Sequence, residues 1–504
     1  MKFTKTRKRK NRNAAACPDS GQAVLIIARG GHMCGIFGII GHEDAARLTY
    51  FGLYALQHRG QESAGIVSWD EKEGSSHLHV GMGLVPDVFR EEDLKHLTGE
   101  TAIGHVRYST TGKPQLRNAQ PLLVRVRNGV QLALAHNGNL TNAAAIRREL
   151  ENDGCIFQTT IDSEIFVHLI ARALSCGSLE QAIVKACSRV EGAYSLLILS
   201  EGRIYAVRDP HGFHPLGMAK MGDSWVFASE SCAFDLLEAE YVREVQPGEM
   251  VIVEPGALEY RSVRLREEET PVRQCIFELV YFARPDSRIF GEDAYQCRKC
   301  MGRNLIRESM ADAECVIPFP DSGIYASLGV AQEAGVPYEH ALIRNHYVGR
   351  TFIQPSQSMR QFSVRVKINP VRSMIENKSL YVVDDSIVRG TTIRTRVAKL
   401  RELGAKAVHF RVSSPPIKYP CFYGIDFPSP NDLIATKYTP DQIAEMLGLD
   451  SLHYLSLDGL LASVSHPERY CTACFTGDYP TPLPEVQDKM SLEYRRKGEV
   501  RFQN

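Results

Sequence analysis

Apolar residues fall in short runs along the chain, and several of these runs end in polar turns. Residues Tyr381–Val383 are apolar and partly β-branched, as a buried parallel strand is. A helical pattern begins near Ile393, so the polar residues between the two form a strand-to-helix turn. A second helical pattern, over about Ala294–Met310, precedes another predicted strand at Cys315–Pro318. Alternating strands and helices are typical of an open α/β sheet, in which ligands bind beyond the carboxyl ends of the strands.

The turn that follows residues 381–383 carries two acids and several hydroxyl side chains. Asp384 and Asp385 stand at the end of the predicted strand, and a Gly–Thr–Thr sequence opens the helix. Backbone N–H groups in such a turn, together with the positive end of the helix dipole, suit a phosphate. The paired carboxylates instead suit a ribose diol, or a magnesium ion carried by a diphosphate. Taken alone, the segment is also compatible with an ordinary turn and a solvated acidic pair.

The order of apolar strand, two acids and Gly–Thr–Thr loop resembles the loop that binds 5-phosphoribosyl-1-diphosphate (PRPP) in type I phosphoribosyltransferases. The resemblance implies that Asp384 and Asp385 contact the ribose hydroxyls and magnesium. The residues it implies for the 5-phosphate are Ser386, Arg389, Gly390, Thr391 and Thr392. By the same resemblance Ser322, beyond the second predicted strand, lies in the diphosphate and magnesium region; a capping turn is the alternative.

A long polar segment from Asn345 to Pro370 is rich in cations, glycine and proline. This composition suits a mobile lid over a diphosphate, because a loop of this length in a compact domain is more often functional. A plain surface loop has the same composition. The phosphoribosyltransferase resemblance makes the segment the flexible loop that closes on PRPP, with Tyr347 and Arg350 in the part that closes.

The amino-terminal half opens on an apolar strand punctuated by glycines, directly after Cys34. A lone cysteine is usually a small buried hydrophobe. If the chain is cut or begins just before Cys34, however, the residue carries both a thiol and an α-amino group of pKa about 8, which can serve as its own base. Four polar motifs follow in order: Gln57–Gly65, Gly104–Thr110, Ala135–Leu140 and Thr159–Glu164. Taken singly, they contain a hairpin turn at Asn137–Gly138, a helix cap at Asp162 or Ser163, and a surface cation at Arg107.

Together, the four motifs after Cys34 resemble the glutaminase domain of the class II amidotransferases. These are N-terminal-nucleophile hydrolases with a four-layer αββα fold, and the resemblance covers about Cys34–Glu254. It implies that Cys34 attacks the carboxamide of glutamine, while Asn137 and the Gly138 N–H form an oxyanion hole. The implied glutamine-binding residues are Arg107 for the α-carboxylate, Asp162 for the α-amino group, and Arg59 in a motif that shapes the site.

The two halves in this order resemble the amidophosphoribosyltransferase family over Cys34–Gly477. The resemblance implies that ammonia from glutamine passes through an internal channel and displaces pyrophosphate from PRPP, giving 5-phosphoribosylamine. This is the first committed step of de novo purine (IMP) biosynthesis. A magnesium ion, a homotetramer and purine nucleotides as feedback inhibitors are further expectations from the family. The predicted domains are a leader or mis-assigned extension over 1–33, a class II glutaminase domain over 34–260, a charged linker over Arg261–Arg273, a phosphoribosyltransferase domain over 275–470 and a cluster-binding tail over 471–504.

The cysteines include two CxxC pairs. Cys471 and Cys474 lie in an irregular, Gly- and Pro-rich segment that can wrap a metal, whereas Cys297 and Cys300 share one face of a predicted helix and are interpreted as incidental. The family has members with and without a cluster. This chain matches the cluster-bearing type at Cys275, Cys421, Cys471 and Cys474. That resemblance implies a structural [4Fe–4S] cluster, with zinc as the alternative.

Composition narrows the class of protein. A chain of 504 residues exceeds one domain, and an apolar content of 44% is ample for globular cores. The net charge of zero and the short apolar runs predict no nucleic-acid and no membrane partner. Thirteen cysteines without a secretory signal favour metal or catalytic use over disulfides, and a cytoplasmic enzyme is expected.

The first thirteen residues hold a block of lysine and arginine that is expected to be disordered. It is interpreted as a removed leader or as an extension from a start assigned too early, since Met33 directly precedes Cys34. A nucleic-acid-binding arm and an organelle presequence are the alternatives. Two other functions remain open for the whole chain: a regulatory nucleotide-binding or cluster-based redox protein, and a sugar-phosphate amidotransferase. The full set of glutaminase motifs argues against the first, and the loop at residues 382–392 argues against the second.

Overall fold

The computed structural model describes residues 33–109, 111–344, 368–427, 430–483 and 492–493. Among these residues, no helix combines the length and the apolar character needed to cross a membrane.

The amino-terminal half contains two antiparallel sheets. Its strands are β1 (Gly35–Ile40), β2 (Ser63–Asp70), β3 (Ser75–Met82), β4 (Thr101–Arg107), β5 (Leu122–Arg125), β6 (Gln131–Leu140), β7 (Gly192–Ser200), β8 (Arg203–Arg208), β9 (Gly217–Met221), β10 (Ser224–Ala228), β11 (Glu240–Glu244), β12 (Glu249–Val253) and β13 (Arg261–Arg264). One sheet has the strand order β11-β9-β10-β1-β4-β2-β3, and the other has the order β13-β12-β8-β7-β6-β5. The helices of this half are α1 (Ala45–Ala55), α2 (Val85–Val88), α3 (Glu91–Lys95), α4 (Ala143–Asn152), α5 (Ser163–Ala173), α6 (Leu179–Arg189) and α7 (Cys232–Leu236).

These elements stack as four layers. Successive side chains of a strand point to opposite faces, so a strand buried on both faces is apolar throughout. In β1, Ile36 packs between the two sheets while Phe37 packs outward beneath α1. On the far side, α5 and α6 cover the other sheet through Ile170 and Ile183. The predicted αββα fold of this half is confirmed.

The carboxyl half is built around a parallel sheet. Its strands are β14 (Gln274–Cys275), β15 (Arg288–Ile289), β16 (Glu292–Asp293), β17 (Cys315–Pro318), β18 (Leu342–Arg344), β19 (Ile368–Pro370), β20 (Ser379–Asp384), β21 (Ala407–Val412), β22 (Ser451–Tyr454) and β23 (Tyr470–Cys471). The helices are α8 (Ala294–Glu308), α9 (Ile324–Ala334), α10 (Thr391–Glu402), α11 (Pro440–Leu447), α12 (Leu457–Leu461) and α13 (Ala473–Thr476), with a π-helix at Glu278–Phe282. The sheet order is β17-β20-β21-β22, and all its pairings are parallel.

Both faces of this parallel sheet are covered. In β20, Tyr381 and Val383 pack toward one core and Val382 toward the other, and all three side chains are buried. The apolar pattern that predicted a buried parallel strand at this point is therefore confirmed. The carboxyl ends of β17 and β20 lie side by side, because Pro318 pairs with Val383.

Two short parallel strands tie distant segments together. Gln274 in β14 pairs with Tyr470 in β23, and Cys275 pairs with Cys471. The predicted linker Arg261–Arg273 is wrong at its amino end, because β13 forms the edge strand of the second antiparallel sheet. Its charged side chains suit an edge strand, whose outer face meets water.

Candidate functional site

Cys34 lies at the start of β1, within the amino-terminal half. Its side chain is buried, and its Sγ–H donates to the carbonyl of Tyr108 at 3.3 Å. Burial raises the pKa of the thiol to about 11. Met33 precedes it with a fully buried side chain, which packs into the core of the carboxyl half.

A pocket opens at this thiol. Its lining includes Cys34, Arg107, Gly138 and Asp162, four of the residues predicted for glutamine hydrolysis. The other lining residues are Tyr108, Thr111, Gln120, His136, Ile161 and Ser163. Motifs that lie far apart in the sequence therefore meet around one cysteine.

Asn137 and Gly138 lie inside β6, so the hairpin-turn interpretation of this pair is wrong. The Asn137 side chain is buried, and within the described part of the chain its Nδ2 has no hydrogen-bond partner. Gly138 has φ +153°, and a Cβ there would lie 2.1 Å from the carbonyl oxygen of Ala193. Only glycine fits at that position. Gly138 lines the pocket at Cys34, whereas Asn137, its neighbour in the chain, is not among the lining residues. A buried donor without a partner is a feature that an oxyanion hole requires.

Arg107 and Asp162 place opposite charges in the pocket. Arg107 donates from Nη2 to the carbonyl of Thr111 at 3.0 Å and lies 3.6 Å from the Glu62 carboxylate. Asp162 stands at the N-cap of α5 but does not cap it, because its Oδ2 accepts from the Leu140 N–H at 2.9 Å. The capping interpretation of Asp162 is therefore wrong. A cation and an anion held on opposing elements suit the two charged groups of an α-amino acid.

Arg59 lies next to Cys34 with a fully buried side chain. Its Nε–H donates to the Cys34 carbonyl at 2.9 Å. The terminal nitrogens bind two buried carboxylates, at 2.5 Å to Glu230 and 2.7 Å to Glu278. Because both carboxylates hold the guanidinium in place, its Nε–H fixes the position of the Cys34 carbonyl.

The acidic pair of the carboxyl half lies where the sequence predicted it. Asp384 ends β20 and Asp385 follows it, at the carboxyl edge of the parallel sheet. Burial raises the pKa of both carboxyls, and the like charge of Asp385 adds to the shift of Asp384. Ser322, beyond the neighbouring β17, donates to Asp384 Oδ1 at 3.4 Å, and Ser386 donates to Asp385. The arrangement concentrates carboxylate oxygens at one point and therefore favours a bound cation or hydroxyl donors.

The loop after the acids passes through a glycine in the left-handed region and leads into the start of a helix. Gly390 has φ +73°, and a Cβ there would lie 3.1 Å from Ile434 Cδ1. Thr391 and Thr392 form the first turn of α10, so their N–H groups lie at the positive end of a helix. The exposed guanidinium of Arg389 pairs with Asp432 at 3.3 Å. The predicted lid residues Tyr347 and Arg350 lie outside the described residues.

The four cysteines predicted to hold a cluster meet between the two halves. Cys275 and Cys471 are paired through β14 and β23, and Cys474 follows on α13. The thiol of Cys421 accepts from the Tyr423 N–H at 3.4 Å. All four are free thiols. Burial raises the pKa of the Cys275 thiol, and the charges of the other three act in the same direction.

The pocket at Cys34 and the carboxyl half share an interface. The Tyr108 hydroxyl donates to Asp426 at 3.4 Å, and Asn139 Nδ2 donates to the carbonyl of Phe422 at 3.0 Å. Phe213 stacks on Tyr423 with ring centroids 4.1 Å apart. The segment of residues 421–426 therefore lies directly against the pocket wall.

Comparisons with known proteins agree with this geometry. A sequence profile described as a glutamine amidotransferase domain matches residues 105–235. The amidophosphoribosyltransferase of Bacillus subtilis is 47% identical over 457 residues, covering 89% of this chain and 94% of that protein. The chain belongs to the amidophosphoribosyltransferase family. Two solved structures are also similar, each at 47% identity and with 98% of its chain covered. One is described as the allosteric regulatory enzyme of purine biosynthesis (TM-score 0.85, covering 91% of this chain), and the other is the glutamine PRPP amidotransferase of Bacillus subtilis in complex with ADP and GMP (TM-score 0.84, covering 90% of this chain).

Membership in the amidophosphoribosyltransferase family decides between the functions left open by the sequence. The predicted enzyme activity is confirmed, and so is the predicted combination of a glutaminase fold with a phosphoribosyltransferase fold. Relatives that cover about 90% of this chain are amidophosphoribosyltransferases. This excludes the three alternatives: a regulatory binding protein, a redox protein and a sugar-phosphate amidotransferase.

Sequence reasoning missed the two carboxylates that hold Arg59. Neither Glu230 nor Glu278, which lies within an apolar run, carries a predicted role. A signal for Glu278 was available, because it is the only acid between Cys275 and Phe282. A charge in such a run must find a partner when it is buried.

Proposed function

We propose that this amidophosphoribosyltransferase converts glutamine, PRPP and water into glutamate, 5-phosphoribosylamine and pyrophosphate through two sites in one chain. The enzyme class and the place in purine biosynthesis follow from family membership. The main support for two sites is that two different sets of reactive groups lie on opposite sides of the interface between the halves. A buried thiol with an unpartnered amide donor lies on one side of the interface, and an acidic pair ends a parallel strand on the other.

The first half-reaction begins when Cys34 is freed from Met33. The α-amino group released by that cleavage, with a pKa of about 8, can take the thiol proton. The sulfur then attacks the glutamine carboxamide, and the negative charge that develops on its oxygen is stabilised by Asn137 Nδ2 and the Gly138 N–H. The α-ammonium group returns the proton to the amide nitrogen, so that the adduct collapses with loss of ammonia and leaves a thioester on Cys34. Water then hydrolyses the thioester to glutamate and restores the thiol.

Charge complementarity supports the roles of Arg107 and Asp162. The guanidinium matches the planar α-carboxylate of glutamine, and the carboxylate of Asp162 matches the α-ammonium group. Arg59 supports the same site from within the protein, because four of its five N–H donors bond to protein oxygens. The remaining N–H, on Nη2, lies against the Met33 sulfur at 4.0 Å.

In the second half-reaction ammonia attacks C1 of PRPP and pyrophosphate leaves. The attack requires neutral ammonia, so delivery inside the protein avoids protonation to ammonium in water. The packing of residues 421–426 against the nucleophile pocket supports an internal route. At the acceptor end, Asp384 and Asp385 accept from the ribose hydroxyls. The N–H groups of the loop from Ser386 to Thr392 bind the 5-phosphate.

The donor set at the carboxyl edge of the parallel sheet fits magnesium. Asp384, Asp385 and Ser322 offer oxygen atoms, which are the ligands that this hard cation prefers. A magnesium ion shared with the diphosphate would neutralise charge on the leaving group. The raised pKa of both carboxyls is consistent with a site that needs a cation to keep them ionised.

The four cysteines that converge between the two halves would hold a [4Fe–4S] cluster, which four thiolates bind. Zinc, which four thiolates also bind, is the alternative. The cluster's role would be structural, joining β14, β23 and the segment of Cys421.

Regulation and assembly extend the proposal. Because the related Bacillus subtilis enzyme has been solved with ADP and GMP, we expect purine nucleotides to inhibit this chain. A homotetramer and a cytoplasmic location are expected from the family. The activity with glutamine requires that the residues before Cys34 are absent from the active form.

The nitrogen source separates the two sites. Cys34→Ala should abolish pyrophosphate release with glutamine and retain release with ammonia. Asp384→Asn should lose release with both. Loss of both activities in Cys34→Ala would refute the two-site account, and full activity of Asp384→Asn would refute the role of the acidic pair.

A further inference from the structure

We propose that Glu278 is a positioning residue for the nucleophile. Through Arg59, it holds the backbone of Cys34 in place. It thereby makes glutamine hydrolysis depend on the docking of the carboxyl half against the amino-terminal half. The inference rests on the proposed role of Cys34 as the nucleophile.

Glu278 belongs to the carboxyl half. It is the first residue of the π-helix Glu278–Phe282, three residues after the predicted cluster ligand Cys275. Its side chain is fully buried. Removing an ionised carboxylate from water is unfavourable unless partners compensate for the lost hydration. The compensation comes from the other half of the protein.

Arg59 supplies that compensation with paired hydrogen bonds. Its Nη2 donates to Glu278 Oε1 at 2.7 Å, and its Nη1 donates to Glu278 Oε2 at 3.0 Å. The guanidinium is planar and rigid, so fixing both terminal nitrogens also fixes the direction of Nε. That Nε–H donates to the Cys34 carbonyl. The chain of bonds therefore runs from the carboxyl half to the main chain of the nucleophile.

Glu230 also binds Arg59, but it does not depend on Arg59 for its own compensation. It accepts from the Ser287 hydroxyl and from the Arg284 N–H, each at 2.8 Å. Glu278 accepts from Arg59 twice, and its further partner is His214 Nδ1 at 3.3 Å. Burial raises the pKa of Glu278, but the charge of Arg59 acts in the opposite direction, and the pKa lies below its ordinary value. The carboxylate is thus ionised at neutral pH and oriented mainly by the guanidinium.

A positioning role and a structural role predict different kinetics. If Glu278 only held the halves together, its loss would lower thermal stability and reduce both activities in parallel. If it positions Cys34, its loss lowers kcat with glutamine. The KM for glutamine changes little, because Arg107 and Asp162, which bind the substrate, do not contact Glu278. Transfer from ammonia does not use Cys34 and is retained.

Glu278→Gln tests this directly. The substitution keeps the shape, removes the charge and turns one acceptor into an N–H₂ group that faces the guanidinium. We expect kcat with glutamine to fall at least tenfold, KM for glutamine to stay within threefold, and ammonia-dependent release of pyrophosphate to stay within twofold. Alkylation of Cys34 by an electrophilic diazoketone analogue of glutamine should slow in parallel with kcat.

Glu308→Gln is the matched control. Glu308 also lies in the carboxyl half and accepts two hydrogen bonds, from the N–H and the hydroxyl of Ser456, but it contacts neither site. It should leave all three rates unchanged. If Glu278→Gln does not fold, Arg59→Lys keeps a cation and loses the planar fork, and it should show the same separation of the two activities.

Two outcomes would overturn the inference. One is wild-type kcat with glutamine in Glu278→Gln, and the other is a parallel loss of both activities with a lowered Tm. Failure of the proposed function looks different. In that case the wild-type enzyme would not use glutamine, or Cys34→Ala would still use it.

Discussion

Asn137→Ala should separate catalysis from stability in the glutaminase site. Asn137 is only 1% exposed, and within the described residues its Nδ2 is an unpartnered donor. A hydrogen bond from such a donor to a developing oxyanion, in a site closed to water, is typically worth about 3–4 kcal/mol, or roughly 10²–10³ in kcat. We therefore expect kcat with glutamine to fall by roughly 10²–10³ and KM to change little, because the bond strengthens only as charge develops.

The folded protein should tolerate this change. A buried donor without a partner costs roughly 1–3 kcal/mol, and removing it offsets the small cavity that alanine leaves. The Tm should therefore stay within a few degrees of wild type, and pyrophosphate release with ammonia should be unchanged. Asn142→Ala is the control, because Asn142 lies outside the pocket and bonds to the backbone of residues 189 and 191. A kcat within threefold of wild type in Asn137→Ala would refute the oxyanion-hole assignment.

Three further predictions concern the other features of the chain. Gly390→Ala places a side chain at a left-handed backbone position beside Ile434, which costs roughly 1–2 kcal/mol. KM for PRPP should therefore rise by roughly 5- to 30-fold. An unchanged KM would contradict the proposed binding of the 5-phosphate by this loop. While Met33 is attached, the pKa of the Cys34 thiol is raised to about 11. The rate of Cys34 alkylation, measured by mass spectrometry, should therefore rise about tenfold per pH unit between pH 7 and 9. A plateau in this rate below pH 9 would contradict the raised pKa. Cys421→Ser should reduce iron and acid-labile sulfide per chain in protein purified without oxygen; zinc as the bound metal in the wild type would refute the cluster.

Local signals in the sequence were sufficient for the strand and helix that flank Asp384 and Asp385. An apolar run followed by Asp384 and Asp385 and a Gly–Thr–Thr turn is contiguous, so strand, acids and helix start could be placed from one segment. The structure gives β20 as Ser379–Asp384 and α10 as Thr391–Glu402, which confirms the predicted strand-to-helix order. Buried strands and helix starts depend on neighbouring residues and can be predicted from them.

Non-local contacts account for most of the misses. Asn–Gly is a strong signal for a hairpin turn. In β6, however, Asn137 and Gly138 pair with β7, and this pairing keeps the chain extended. Asp162 has the sequence position of a cap, but a partner from another segment, the Leu140 N–H, takes its carboxylate. The bonds of Arg59 to Glu230 and Glu278 span 171 and 219 residues, a separation for which the local pattern carries no information.

The family resemblance supplied what spacing could not. Four motifs scattered over more than a hundred residues were interpreted as one glutaminase site, and the structure brings Cys34, Arg107, Gly138 and Asp162 to one pocket. Fold class and enzyme activity are confirmed. The individual roles of these residues, the magnesium site and the cluster stay predictions.

The most direct test of the two-site account is the stoichiometry of the wild-type reaction. Pyrophosphate and glutamate would be measured together, with PRPP and magnesium, on protein purified without oxygen and lacking the residues before Cys34. The account predicts pyrophosphate release with glutamine and, separately, with ammonia, and one glutamate per pyrophosphate when glutamine is the donor. Absence of pyrophosphate release with either nitrogen source, from protein with its cluster intact, would contradict it.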